Sequence, residues 1–79
     1  MQKGANMVEK YTACQWGKFE GLTEQEVMQF YGGDVVAFYA MEDSPFAGCE
    51  HADGTFDVFG CRVDAKGLTY KQMLEYIER

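Results

Sequence analysis

One eight-residue segment in the middle of the chain limits the folds that are open to it. Residues 34–41 read DVVAFYAM, and every residue after the aspartate is apolar or aromatic. A nearly continuous run of branched and aromatic side chains is typical of a strand inside a sheet rather than at its edge. The segment therefore predicts a central β-strand, around which the rest of the 79 residues must be arranged.

A helix-start signal occurs on each side of that strand. Residues 22–26 (LTEQE) and 68–72 (LTYKQ) both place a threonine after a leucine and a Glu or Gln three residues later. Such a threonine can exchange hydrogen bonds with the Glu or Gln as a capping box, while the leucine packs on the first turn. The pattern predicts one helix over 24–31, ended by the glycine pair that follows, and another from residue 70 to the end of the chain.

The remaining segments favour β-structure. Residues 8–16 alternate loosely, and Asp53-Gly54 is a strong signal for a two-residue hairpin turn between segments 49–52 and 55–63. The predicted order is β-α-β-β-β-α. We expect a single α+β domain over 1–79 with residues 1–6 flexible: a two-layer sandwich with an antiparallel sheet of about four strands and two helices on one face.

A two-layer sandwich of this kind leaves one sheet face uncovered. The strands carry aromatic side chains on both sides, with Phe38 and Phe56 on one and Tyr39 and Phe59 on the other. An exposed apolar face usually marks an interface. The pattern predicts a homodimer or a tight complex with another protein.

Composition indicates a globular protein of the cytoplasm. Six Phe, five Tyr and one Trp can supply a core that a disordered acidic segment would lack. Three cysteines, an odd number without a close pair, favour free thiols over a disulfide framework. There is no secretory leader pattern and no apolar run of about 18 residues, so we expect a cytoplasmic protein, in the host cytoplasm if a phage encodes it.

The charge is concentrated in the middle of the chain. The formal net charge is -6, and no Lys or Arg occurs between Phe19 and Cys61. That span holds nine carboxylates: Glu20, Glu24, Glu26, Asp34, Glu42, Asp43, Glu50, Asp53 and Asp57. An unneutralised acidic face repels nucleic acid and anionic membranes and attracts cationic partners. We therefore expect a basic protein surface as the partner and no direct contact with nucleic acid or membrane.

Some of these carboxylates have local explanations. Glu24 and Glu26 suit the first turn of a helix, and acidic residues also keep small proteins soluble. With a two-residue turn, Glu50 and Asp57 would face each other across the hairpin, and such a like-charge pair costs stability. We take that cost as a sign of an external cation. The predicted partner-binding residues are Glu42, Asp43, Glu50, Asp53 and Asp57.

A metal site is the first alternative chemistry, with Cys49, His51 and Cys61 as donors and Cys14 as a further candidate. The two-residue turn would pair Cys49 with Val58 and place Cys61 on the other face of the sheet. Cys49 and His51 are also closer in sequence than most zinc-ligand pairs. We therefore expect neither a metal nor a cofactor.

Catalysis has no recognisable motif. The single histidine, His51, lacks a nucleophile in a familiar setting, and no phosphate-binding loop or zinc-protease motif is present. We expect no catalytic residues.

Three functional hypotheses remain. The first is a small non-catalytic inhibitor that covers the basic surface of a nucleic-acid-binding partner, in the manner of phage-encoded DNA mimics directed against defence nucleases or CRISPR complexes. The second is a structural or regulatory module that self-associates through its open sheet face. The third is a small Cys/His metal-binding domain.

Overall fold

The computed structural model describes residues 7–79, so the flexible terminus predicted for residues 1–6 lies outside the described part of the chain. Two consecutive helices follow the first strand, and a third helix follows the last strand. In chain order they are β1 (Glu9–Tyr11), α1 (Ala13–Glu20), α2 (Glu24–Tyr31), β2 (Val35–Ala40), β3 (Ala47–His51), β4 (Phe56–Phe59), β5 (Val63–Leu68) and α3 (Tyr70–Ile77). None of the described helices has the length and apolar character that crossing a membrane requires.

The five strands form one sheet in the order β1-β2-β3-β4-β5, and every neighbouring pair is antiparallel. The strand predicted over 34–41 is β2, which pairs with β1 on one side and β3 on the other. Its interior position explains its composition, since Phe38 and Tyr39 are both buried although they point to opposite faces.

Each face of the sheet carries its own apolar core. On one face Phe38 and Cys49 pack with Ala13 of α1 and Val27 of α2. On the other face Tyr39, Phe56 and Val58 pack with Met73 and Ile77 of α3. The predicted α+β sandwich on an antiparallel sheet is confirmed. It has five strands rather than about four and three helices rather than two, and these helices are distributed over both faces.

Helix α1 accounts for most of that difference. The segment predicted as a strand over 8–16 contains only the short β1, and α1 begins directly after it. Thr12 is its N-cap: the Thr12 hydroxyl accepts from the Gln15 backbone N–H at 3.1 Å, and the Gln15 side chain accepts from the Thr12 N–H at 2.9 Å. This is a third capping box, and its threonine and glutamine were visible in the sequence.

The segment predicted as one strand over 55–63 is interrupted. Strand β4 ends at Phe59, the Gly60 N–H donates to the Arg62 carbonyl across a tight turn, and β5 begins at Val63. The additional strand becomes an edge of the sheet.

Helices cover both faces of the sheet, so the argument for a homodimer no longer holds. That prediction needed one bare sheet face, and α1 and α2 occupy the face opposite α3. Self-association stays a prediction without this support.

The three caps can be tested individually. Thr12→Ala, Thr23→Ala and Thr69→Ala should each lower the free energy of unfolding by about 1 kcal/mol, because each leaves helix N–H groups without their side-chain acceptor. Chemical denaturation measures this. Gln25→Ala, at an exposed position in the first turn of α2, is the matched control and should cost nothing. Equal stability of all four variants would contradict the caps.

A second prediction concerns the α1–α2 contact. Gly17 is buried in α1, and a Cβ built there would lie 2.5 Å from the carbonyl oxygen of Leu22 and 3.1 Å from a methyl of Val27. Backbone cannot move aside as a flexible side chain can, so Gly17→Ala should lower the unfolding midpoint despite the better helix propensity of alanine. Gly33→Ala, with no atom near the new methyl, should leave it unchanged. A stabilised Gly17→Ala would show that the two helices pack more loosely than described.

Candidate functional site

The loop between β3 and β4 determines which side chains meet in the middle of the sheet. The sequence predicted a two-residue turn at Asp53-Gly54. In the structure the His51 N–H donates to the Thr55 carbonyl at 2.9 Å, so three residues, 52–54, form the loop. Gly54 has φ 90°, which matches the three-residue hairpin whose last loop residue is left-handed.

This additional loop residue shifts the hairpin register. Cys49 pairs with Asp57 and Glu50 with Phe56, whereas the two-residue turn would have paired Cys49 with Val58. A shift of one residue moves every side chain of one strand to the opposite face relative to its partner. The predicted like-charge pair of Glu50 and Asp57 is therefore wrong. Asp57 lies on the same face as Cys49.

His51 lies between two aspartates. Its Nδ1 is 3.0 Å from Asp34 Oδ1, and its Nε2 is 2.8 Å from Asp57 Oδ2. Only 13% of the His51 side chain is exposed, against 57% for Asp34. The hydrogen bond to Asp57, followed by the bond to Asp34, raises the pKa of His51 against the opposing effect of burial. An imidazolium can donate to both carboxylates, so this environment favours the charged ring.

Both aspartates are fixed by the backbone around them. The second oxygen of Asp57 accepts from the Gly67 N–H of β5 at 3.2 Å. The Ala52 N–H donates to the Asp34 carbonyl at 2.8 Å, which joins the start of β2 to the hairpin loop. The Asp34–His51–Asp57 row is thus held by three strands and one loop.

Cys49 is the fourth member of this group. Its Sγ lies 3.9 Å from His51 Nε2, and the residue is buried. Burial raises the pKa of the Cys49 thiol to about 11, and the negative charge of Asp57 acts in the same direction. An activated cysteine nucleophile needs a lowered pKa and a free basic nitrogen beside it. Here Asp57 occupies that nitrogen, so the arrangement is unsuited to thiolate catalysis.

A cleft of about 420 Å³ opens beside Cys49 and Asp57. One part of its wall is apolar or aromatic, and the other carries charges of both signs and a second thiol. Its remaining lining residues are Glu20, Phe30, Tyr31, Phe59, Gly60, Cys61, Arg62, Val63 and Lys66. Tyr31 donates to Glu20 at 2.8 Å, and burial together with this hydrogen bond raises the pKa of Tyr31 to about 12.

A second cleft, of about 310 Å³, lies at the β1 edge of the sheet. We call it the edge groove. It combines aromatic and apolar side chains with two carboxylates: Met7, Glu9, Tyr11, Trp16, Phe19, Ala40, Met41 and Glu42 line it. Phe19 is 67% exposed and Met7 65%, so the groove presents apolar surface to solvent.

The five predicted partner-binding residues do not form one surface. Glu42 and Asp43 lie in the turn after β2, while Asp53 lies in the loop at the far end of β3. Glu50 points to the α3 face and accepts a hydrogen bond from the Tyr39 hydroxyl at 3.0 Å. Asp57 belongs to the histidine site on the opposite face, where only 20% of its side chain is exposed.

Two carboxylates of these sites, Asp34 and Glu9, are not among the site residues that the sequence predicted. Asp34 meets His51 across 17 positions of sequence, and Glu9 joins Glu42 only because β1 pairs with β2. No local pattern signals either contact. The proposed donor Cys61 is exposed in the β4–β5 turn, and Cys14 is exposed on α1.

Neither a protein-family model nor a curated protein nor a solved structure matches the chain.

The thiols should differ in reactivity. Exposed Cys14 and Cys61 should react rapidly with an aromatic disulfide reagent at neutral pH, whereas buried Cys49, with its raised pKa, should react only as the protein opens. The count of thiols released with time measures this, and Cys49→Ser should remove the slow phase alone. Equal rates of reaction for the three thiols would contradict the burial of Cys49.

Proposed function

We propose that this chain is a small non-catalytic binding protein that presents carboxylates around the edge groove to a basic partner. The proposal assigns binding to particular carboxylates and not to the net negative charge of the whole protein. It rests on which carboxylates the fold uses for its own hydrogen bonds and which it leaves without one.

Most of the nine carboxylates in the acidic span serve the fold. Six of them accept hydrogen bonds, and Glu24 lies in the first turn of α2, where a negative charge is favourable. Glu42 and Asp43 remain, and neither accepts a hydrogen bond within the described part of the chain. The six are Glu20, Glu26, Asp34, Glu50, Asp53 and Asp57.

Basic side chains do not neutralise this surface. Among residues 7–79, the ion pairs within 4.0 Å are the two that His51 makes, and none involves Lys or Arg. Two of the cations instead lie over aromatic rings, Lys10 over Tyr39 and Arg79 over Tyr76. Charge that is neither paired nor used in the fold is available to a partner.

The edge groove supplies apolar surface that a partner could contact. Tyr11 and Phe19 meet edge to face with ring centroids 5.2 Å apart, and Trp16 lies 6.0 Å from Phe19. Glu9 and Glu42 line the same groove. One oxygen of Glu9 accepts a hydrogen bond from the Tyr11 hydroxyl at 3.0 Å, so Glu42 is the carboxylate of the groove that accepts no hydrogen bond within residues 7–79. An arginine side chain matches this chemistry, because its stem packs on apolar surface while its guanidinium can lie over an aromatic ring and bond a carboxylate.

The partner class follows from the same chemistry. An arginine-rich surface that normally holds a phosphate backbone would find carboxylates and aromatic rings here in place of phosphates and bases. We therefore propose a nucleic-acid-binding protein as the partner, and inhibition of a defence nuclease or CRISPR complex by DNA mimicry as the biological setting.

An arginine-rich peptide is a suitable probe of this proposal. Glu9→Lys/Glu42→Lys should weaken its binding about fivefold or more, since each reversal replaces an attraction by a repulsion. Phe19→Ala should weaken it too, and because the Phe19 side chain is mostly exposed, its removal should leave the fold intact. Binding of the parent protein should also decline from about 50 to about 300 mM salt, where the Debye length falls from about 14 to about 6 Å. Fluorescence anisotropy measures all of these affinities.

The matched control is a double variant with the same net charge, whose two reversals lie outside the edge groove. Glu75→Lys/Glu78→Lys reverses two exposed carboxylates at the end of α3, outside the edge groove. It should bind nearly as well as the parent. Equal losses in both double variants would show that the acidity acts only through net charge, and that outcome would leave the solubility role as its explanation.

A further inference from the structure

We propose that Cys49 Sγ, His51 Nε2 and Asp57 Oδ2 form a binding site for a divalent transition-metal ion of the zinc class, with a fourth coordination position open to the neighbouring cleft. The expectation of a metal-free protein depended on the close spacing of Cys49 and His51 and on the two-residue hairpin turn. The structure does not have that turn, and the correct register brings a third donor, Asp57, to the pair of Cys49 and His51.

The donor atoms are close enough for one ion. All three lie within 4.8 Å of one another, and His51 Nε2 is 2.8 Å from Asp57 Oδ2 and 3.9 Å from Cys49 Sγ. Zinc–ligand bonds of about 2.0–2.3 Å in tetrahedral geometry separate donor atoms by about 3.3–3.8 Å. Side-chain shifts of about 1 Å would therefore bring these atoms into coordination.

The surrounding groups hold the donors in place. Asp34 accepts at His51 Nδ1, 3.0 Å away, which leaves Nε2 as the ligand atom and fixes the ring orientation. The Gly67 N–H holds the second oxygen of Asp57 at 3.2 Å. Carboxylate–histidine–metal rows with supporting backbone hydrogen bonds are the usual outer shell of zinc sites.

The donor set also selects the kind of ion. A thiolate, an imidazole and one carboxylate suit zinc and its neighbours in the first transition row, whereas magnesium and calcium prefer oxygen donors throughout. Binding requires the ionised thiol and a neutral imidazole, so the Cys49 proton and any proton on His51 Nε2 pass to solvent.

The cleft defines the remaining coordination position. Cys49 and Asp57 both line it, so an ion between them faces a space of about 420 Å³. Three protein ligands with one open position resemble zinc sites that bind a water or a small ligand. Cys61 lines the same cleft but belongs to the exposed β4–β5 turn, and we assign it no bond to the ion.

Cobalt(II) is the probe, since a thiolate ligand produces charge-transfer absorption and a tetrahedral site produces visible bands. The purified, metal-stripped protein should bind one equivalent of Co²⁺ with both signals, and Zn²⁺ should abolish them by displacement. Cys49→Ser should lose the charge-transfer band, and Asp57→Asn should bind at least about tenfold more weakly. Cys14→Ser and Cys61→Ser are matched controls that should retain the band.

Asp34→Asn separates a positioning role from ligation. It should lower Co²⁺ affinity about tenfold or more while keeping the charge-transfer band at saturation. Circular dichroism of each metal-free variant shows whether it is folded, and His51→Gln replaces Cys49→Ser if the latter is not. Absence of a thiolate band in the parent, or its persistence in a folded Cys49→Ser or His51→Gln variant, would overturn the site.

Discussion

The register of the β3–β4 hairpin determines the chemistry of this molecule. It is set by a three-residue loop that ends at Gly54, whose φ of 90° is unfavourable for residues with a side chain. With one loop residue fewer, Asp57 would lie on the α3 face and Phe56 and Val58 on the histidine face. The observed register buries Phe56 and Val58 under α3 and places Asp57 beside His51. Apolar packing and the polar site therefore depend on the same turn.

The same register explains how a strongly acidic sheet avoids the repulsion that its sequence suggests. Cross-strand neighbours in the hairpin are Glu50 with Phe56 and Cys49 with Asp57, so no two carboxylates are directly opposed there. Glu50 is then free to accept from Tyr39, and Asp57 from Gly67 and His51. Each carboxylate therefore has a hydrogen-bond donor on its own face of the sheet. This arrangement is more favourable than one in which Glu50 and Asp57 lie directly opposite each other.

Sequence patterns predicted the parts of this fold that are local. The helix predicted over 24–31 is α2 as observed, and the two Leu-Thr capping boxes start α2 and α3. The capping box at Thr12 is equally local, but the loose alternation over 8–16 predicted a strand there instead of a helix start. The candidate site was not predictable in the same way. Asp34, His51 and Asp57 come together through strand pairing, and one residue of error in the loop was enough to separate them.

The two sites occupy opposite ends of β2. Asp34 precedes this strand and supports the histidine site, whereas Glu42 follows it and lines the edge groove. Five steps from Val35 to Ala40 at about 3.4 Å separate the ends by about 17 Å, roughly twice the Debye length at physiological ionic strength. Exposed charges at that distance are largely screened from each other. The histidine site holds a cationic partner for its two aspartates, whereas within residues 7–79 Glu42 has none, so the two ends of one strand carry sites of different charge balance.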